Sequence, residues 1–499
     1  MSANGPLVSQ FGQGLSAWQA IACAGATIVG AAVSWPISSL ALLAAVGLGS
    51  TAGFVVVFST TSRTASSGPW MRRGGTATLV VALFLVATSL ASSSLSGLRP
   101  PESHDVDAIV DLVADPEARG SGQVVDVRLN GARYEAWFFG PSRGAVERLL
   151  SGESIHVRGR VEPFARPWNG HRPRHVVARL NVDWAWGRDE AGGLTQSTNQ
   201  FRRHLVAGAG SLSATQRALF LGFIVGDDRD LPFPVVEEFR AAGLSHLTAV
   251  SGQNVVFVLG LIAPVVAGFG RTSRWLVLVA VLLWFGTLTR WEPSVMRAIA
   301  TAGTALTVSP DRHSRPQFQV LGVAVTMLVL VDPMLVWSVG FRLSVAATVG
   351  IVLFARSIER SLRGPRFLRR AAAVTIAAQM GVAPVQLTTF GPLPIASLPA
   401  NLAAGLATAP LMVWGLAAGV VGGFVPPRWA ALLHIPTKLL TSWVAWVAHT
   451  ASSWSLPRAG WLAWFGGLAV CLFLVNAQRH ADRLGAVSEA DRAPVGGAR

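Results

Sequence analysis

Charge, and lysine above all, is scarce in this sequence. Only 13% of its 499 residues are charged, against about 25% in soluble chains. That level excludes an ordinary soluble enzyme and a disordered chain. Lys438 is the single lysine. No Gly-Lys pair exists, so there is no Walker A phosphate loop and the chain is not its own ATP motor. Cys23 and Cys471 lie in apolar stretches near opposite ends, which excludes a disulfide framework and a cysteine zinc site. The histidines form neither HExxH nor a His-x-His-x-Asp-His cluster, and His171 and His175 fall in a Pro/Arg-rich turn, HRPRH. No metal or other cofactor is expected from that pattern.

What fills the chain instead is apolar: 51% of residues are hydrophobic. About 20 apolar residues are needed to cross ~30 Å of hydrocarbon. Twelve stretches approach this: 18–35, 37–58, 76–95, 243–269, 275–288, 293–308, 318–331, 337–354, 371–390, 395–424, 439–454 and 461–474. No basic stretch precedes Trp18, which argues against a signal peptide. The formal charge of +15 is almost all arginine. Short loops rich in arginine stay cytoplasmic. Arg63, Arg72 and Arg73, then Arg271 and Arg274, then Arg312 and Arg315, and finally Arg356 to Arg370 fall on alternate connections. All four can be inside together only if both termini are cytoplasmic and 100–242 is outside. Most of the charge excess is thereby topology.

The expected fold is a polytopic all-α membrane bundle of about twelve helices carrying a small extracytoplasmic all-β domain. Its segments are 1–98 (transmembrane helices), 99–190 (β domain), 191–242 (interfacial amphipathic helices), 243–476 (the main transmembrane domain) and 477–499 (a cytoplasmic polar tail). AGGLTQS (191–197) reads as the linker after the β domain. Within that domain, alternating runs at 123–129, 134–139, 154–161 and 175–184, punctuated by Gly131, Gly140 and Gly152, read as an antiparallel barrel or sandwich. Arg158, Arg160, Arg166, Arg172, Arg174, Arg179 and Arg188 stand against only Glu162 and Asp183, interleaved with Phe164, Trp168, Trp184 and Trp186. Guanidinium groups following phosphates, with aromatic planes for bases, suit single-stranded nucleic acid. Tryptophans beside a bilayer also serve as interfacial anchors.

Polar residues recur at helical spacing in the membrane half. Ser245, His246, Gly252 and Gln253 lie on one side of their segment; Ser294, Arg297, Thr301 and Thr304 on another; Thr375, Gln379 and Gln386 on a third; Ser397, Asn401 and Thr408 on a fourth. A charge at mid-bilayer costs ~2.5–3.5 kcal/mol on insertion scales, so Arg297 is expected to face protein or water. Such stripes either line an aqueous path or join helices together. Gly243 and the Ser251–Gly252 pair predict a broken helix, tolerated at membrane depth only beside protein or water. His246 and Ser251, five apart, do not stack on one helical face as a base and nucleophile would.

At these residues a resemblance becomes specific. GLSHLTAVSGQNV (243–255) resembles the signature of the ComEC family of competence proteins, which pass transforming DNA through the inner membrane. GDDRDLP (226–232) precedes it in family order. EPSVMRA (292–298), DPMLVWSVGFRLSVAA (332–347) and QLTTFGPLPIASLPANLAAGLATAP (386–410) come after it. The resemblance implies an OB-like outer domain and a channel lined by Ser245, His246, Ser251, Gly252, Gln253, Asn254, Arg297, Gln379, Gln386 and Asn401. Arg158, Arg160, Arg166, Trp168, Arg172 and Arg174 would guide one strand to it. Single-stranded DNA, membrane lipids, a cytoplasmic ATP-driven translocase, an external helix-hairpin-helix DNA receptor and a separate nuclease are the implied partners. Two departures stand out. Many members read Ser-Gly-Leu-His where this chain has Ser251, Gly252, Gln253 and Asn254, and no metallo-β-lactamase-like metal motif occurs, so nuclease or other enzymatic activity is not carried over. The alternatives are a transporter of a small solute or lipid-linked precursor, and an intramembrane hydrolase using Ser251 and His246.

Overall fold

The computed structural model describes residues 17–33, 69–98, 100–164, 175–307, 317–391, 394, 396–454, 467 and 470. The chain is mostly helical with one small mixed sheet. It divides into two compact units. The first comprises Met1–Leu231, Leu247–Arg342 and Ala409–Thr441; the second, Pro232–His246, Leu343–Thr408 and Ser442–Arg499.

The first unit contains the sheet. Its strands are β1 (His104–Leu112), β2 (Glu117–Arg119), β3 (Gly122–Leu129), β4 (Ala132–Phe138), β5 (Ser154–Pro163) and β6 (Val176–Asp189). They lie in the order β1-β5-β6-β4-β3-β2, and an added pairing of β1 with β3 joins the five long strands into a ring. Alternation predicted β3 to β6 closely, because one face of each strand is buried: Val125, Val127, Ala136, Phe138, Ile155, Val157, Leu180 and Val182 form the core. The expected all-antiparallel arrangement needs correcting, since β4 and β6 run parallel. The chain returns between them through helix Pro141–Val146 and β5, the longer crossover a parallel pair requires.

Six helical segments among the described residues are long and apolar enough to cross a membrane: Ala77–Ser96, Ser245–Ile262 (interrupted before Gly252), Arg271–Leu288, Val339–Ser361, Arg366–Phe390 and Ser397–Gly422. The described residues therefore do not show the expected bundle of about twelve. Helices Pro293–Thr307 and Gln317–Val331 have 15 residues each, which at 1.5 Å per residue spans only about 22 Å. Helix Ala17–Val33 is also short, while 37–58 and most of 461–474 lie outside the described residues. Helix Ile435–Ser452 is not among the six either; Lys438, Ser442, His449 and Thr450 dilute its apolar character.

No linker separates the sheet from the helical part of the chain, because helix Gly193–Gly208 starts inside AGGLTQS. That helix buries Thr198, Asn199, Arg202 and Leu205 on one side. Helix Ala214–Val225 differs: Ala218 through Val225 are all buried, the mark of a helix surrounded by protein rather than lying on a surface. Phe220, Ile224 and Val225 share a core with Leu282, Phe285, Leu288 and Val295.

In the second unit, helices Val339–Ser361 and Arg366–Phe390 meet at Gly350 and Gly381. A Cβ on Gly350 would stand 2.8 Å from the Gly381 Cα, and one on Gly381 would stand 2.9 Å from the Gly350 Cα. Small residues allow such backbone approach where lipid supplies no hydrophobic drive.

Candidate functional site at a broken helix

The site is built from the end of helix Ala214–Val225. Ser213 caps its start in a reciprocal box with Gln216. Gly226, at φ 70°, ends it in the left-handed region, where a Cβ would be strained. The Gly226 amide donates to the Gly222 carbonyl (3.0 Å), the single bond of an αL cap, and the Asp227 amide reaches the Leu221 carbonyl (3.3 Å). This turn delivers Asp227 to Arg202, which donates to it at 2.7 Å. Arg229 adds two bonds of 2.7 and 2.8 Å.

Asp115, in the loop after β1, closes the cluster. It accepts from Arg202 (3.0 Å), from the Ser151 amide (2.9 Å) and from Arg290. Arg290 also donates to the Gly226 carbonyl at 2.6 Å. Nearby, Arg229 reaches the Leu149 carbonyl (3.2 Å), and Arg188 and Arg203 grip Glu153. Asp115 and Arg202 are almost wholly buried. Burial by itself pushes the Asp115 carboxyl up, but Arg290, Arg202 and Arg229 outweigh it and hold the group well below the usual carboxylate range. The same balance lowers Asp227 against its burial, chiefly through Arg229 and Arg202. Buried charges persist only when paired in this way. Arg290 and Trp291 occupy consecutive left-handed positions, φ 57° and 55°, a conformation costing non-glycine residues ~1–3 kcal/mol each.

Beside this cluster the signature segment breaks as expected. A short 3-10 turn covers Ser245–Leu247, and helix Gly252–Ile262 begins only after Ser251. The unwound stretch is supported by neighbours. Ser294 Oγ donates to the Val250 carbonyl at 2.7 Å, and a Cβ at Gly226 would touch the Val250 amide at 3.3 Å. Asn254 is buried. Its Nδ2 donates to the Phe223 carbonyl (2.9 Å), and its Oδ1 accepts from Ser251 (3.2 Å). Phe223 lies in the last turn of its helix, where carbonyls lack intrahelical donors; Asn254 supplies one. The Ser251 hydroxyl is thus engaged by Asn254. Gly252 leaves room for Arg297, whose Nη2 would lie 2.6 Å from a Cβ there, and Gln253 is exposed. Residues 226–232, 249–255 and 292–298, scattered in sequence, form one neighbourhood.

Other expected site residues group separately, in the second unit. Ser245 and His246 are exposed on the 3-10 turn. Gly243 abuts Ser397, whose hydroxyl accepts from Gln379 (3.2 Å) and whose carbonyl accepts from Asn401 (2.7 Å). Gln386, half-buried, lies further along helix Arg366–Phe390. Thr301, Thr304, Thr375 and Thr408 donate to carbonyls of their own helices. Several stripe members therefore serve helix structure and helix contact.

On the sheet, Arg158 stands opposite Asp107 and Arg160 opposite Asp105 across the β1–β5 pair. His156 Nε2 lies 2.7 Å from Asp107 and its ring stacks on Trp186 at 4.2 Å. Trp184 is 62% exposed and pairs with Arg158 across β5–β6. Arg166, Trp168, Arg172 and Arg174 lie outside the described residues. A local charge count over 156–188 found basic excess; the topology brings β1's aspartates to the same face. Asp115, Arg202 and Arg290 escaped sequence reasoning, whereas Asp227 and Arg229, within GDDRDLP, carried a signal.

The profile of the family described as "Competence protein" matches residues 223–479, just over half of the chain. The chain is 23% identical over 376 residues to ComE operon protein 3 of Bacillus subtilis (strain 168), covering 72% of this chain and 48% of that protein. It is 23% identical over 287 residues to "Uncharacterized protein YcaI" of Escherichia coli (strain K12), covering 52% and 37% respectively. The chain thus spans half or less of these curated relatives. No solved structure matches it.

Proposed function

The chain belongs to the competence protein family, and from that premise we propose that it is a cytoplasmic-membrane channel subunit passing one strand of transforming DNA into the cell. The observation that carries this reading is the meeting of three signature segments at an unwound stretch of a candidate span. Open backbone at membrane depth is tolerated only against protein or a water-filled path. Here it is accompanied by a guanidinium, Arg297, and an exposed amide, Gln253. Arg297 would offset phosphate charge, while Ser251, Gln253 and Asn254, with Ser245, His246, Gln379, Gln386 and Asn401, would replace water around the strand. Conduction requires binding that is weak and spread over several sites. Polar walls with few cations meet that requirement.

Helix directions support the orientation. Helices Pro69–Ser96, Arg271–Leu288 and Gln317–Val331 all finish on the side of the sheet: the first leads into β1, Arg290 bonds Asp115, and Asp332 lies 3.1 Å from His175. Their other ends carry or follow the arginine-rich segments, the pattern expected of a cytoplasmic face. The sheet would then be extracytoplasmic. Its ring order, its single parallel pair and the helix before β5 support an OB-like reading, a fold suited to single strands. Trp184 and Trp186 offer stacking surfaces there. Energy would come from a cytoplasmic ATP-driven translocase. A duplex-DNA receptor outside and a separate nuclease would supply the strand.

Deletion of the gene, followed by measurement of nuclease-protected labelled DNA in the cytoplasm, tests the reading. The expected result is loss of internalised DNA, restored by the wild-type gene and not by Arg297→Glu at equal abundance. Normal internalisation in the deletion strain would refute it.

A further inference from the structure

The buried ionic cluster has a geometry that reaches beyond its own stability. Its parts come from different regions of the first unit. Asp115, Leu149 and Glu153 belong to the sheet domain; Arg202 and Arg203 to helix Gly193–Gly208; Asp227 and Arg229 to the GDDRDLP turn; Arg290 to the turn after helix Arg271–Leu288. Arg290 spans two roles. One guanidinium nitrogen bonds the Asp115 carboxylate and another bonds the Gly226 carbonyl. Gly226 in turn abuts Val250, the last residue before Ser251, and Val250 is held from its other side by Ser294. A continuous contact path therefore runs from the sheet domain to the unwound stretch through Arg290, beside the links that Arg202 and Arg229 make to Asp227. The left-handed backbone at Arg290 and Trp291 fixes where that side chain points.

We propose that Arg290 is a positioning residue that ties the sheet domain, through Asp115, to the turn at Gly226, and so holds the Val250–Ser251 stretch unwound. The inference rests on reading that stretch as the functional site, but it does not depend on what passes through it. Arginine suits the task because its planar fork serves two acceptors in fixed directions. Lysine at 290 would reach one acceptor and lose the other. Loss of the cation would leave Arg202 to hold the Asp115 carboxylate, and would leave the Gly226 carbonyl without its side-chain donor.

The test reads local structure rather than transport. Ser251→Cys and Ala263→Cys are prepared separately in the full chain with Cys23 and Cys471 replaced by serine, reconstituted in lipid, and labelled with a small maleimide. Ala263, at the far end of helix Gly252–Ile262, is exposed and remote from the cluster. Arg290→Met and Asp115→Asn are expected to change the labelling rate at position 251 by about two- to thirtyfold, the range of couplings carried by packed networks. The rate at 263 should stay constant, and Arg290→Lys should fall between wild type and Arg290→Met. An unchanged rate at 251 in chains that insert normally would overturn the proposal. Equal changes at 251 and 263 would also overturn it, because they would make Arg290 a general stabiliser. Should Arg290→Met fail to insert, Arg290→Lys and Asp115→Asn decide by the same comparison. Loss of the DNA-entry reading would leave these labelling results untouched, so the two ideas fail separately.

Discussion

Gly350 and Gly381 give the sharpest opportunity to test the packing. The perturbation is one methyl group, Gly350→Ala. In an isolated helix this change stabilises by about 0.8–1.0 kcal/mol. Here the new Cβ overlaps the Ala377 carbonyl oxygen and stands 2.8 and 2.9 Å from the Gly381 Cα and amide nitrogen. All three neighbours are backbone atoms, so no rotamer change relieves the contact. Overpacking of this kind costs about 1–3 kcal/mol, and backbone on every side argues for the upper end. The net expectation is destabilisation by about 2 kcal/mol, larger for Gly350→Leu. Because the contact is reciprocal, the double variant Gly350→Ala/Gly381→Ala should cost less than the sum of the singles; the first methyl has already parted the helices. Reversible unfolding of the purified chain in mixed micelles, compared across the four sequences, measures both quantities. A Gly350→Ala protein as stable as wild type, or strictly additive losses, would refute the reasoning.

Three further outcomes can be checked. Asp126 faces Glu135 across β3–β4, and burial first, then that neighbour, raises its pKa to about 6; a group with a raised folded value contributes stability that is complete at low pH and is lost as pH rises from about 4 through 6. Asp126→Asn should therefore flatten that dependence, read as hydrogen-exchange protection of β3 and β4 in the full chain after correction for intrinsic rates. Asn254→Leu should cost about 1–3 kcal/mol by leaving the buried Phe223 carbonyl without its donor, seen as faster exchange at the end of helix Ala214–Val225. In anisotropy measurements with labelled oligothymidylate, Trp184→Ala should lose ~1–3 kcal/mol of binding, the value of a stacked base. Arg158→Ala should change binding by no more than about 1 kcal/mol, since Asp107 stands opposite it across β1–β5 and exposed charges interact weakly through water; the reverse order would mean that phosphate contact outweighs stacking.

Local patterns were readable and convergent ones were not. The alternation in 123–129 and 154–161 located β3 and β5 because each strand buries one face, and Ser251–Gly252 marked the helix break because that pair weakens helix continuity. Parallel pairing of β4 with β6 left no such trace, since it depends on the path through Pro141–Val146. At 293–308 and 318–331 the apolar runs have only 16 and 14 residues, and the helices there have 15 each, short of a full crossing. The electrostatic cluster was hidden for a plainer reason. Asp115 and Arg290 are 175 positions apart, and nothing beside either residue announces the other. The basic reading of 156–188 failed to include Asp105 and Asp107 on the same grounds: a count along the chain cannot see the strand that folds next to it.

Arg290 and Trp291 set a trap for anyone improving this protein by random mutagenesis and heat selection. Their backbone angles are those glycine adopts freely, so glycine at either position relaxes the turn. Glycine at 290, however, deletes the guanidinium. A screen scored on thermal resistance alone could thus favour hardier chains that have lost the Arg290 link between Asp115 and Gly226 while Arg202 and Arg229 still hold the turn to the sheet domain, and only a second score on the neighbourhood of Ser251 would reveal what had been traded away.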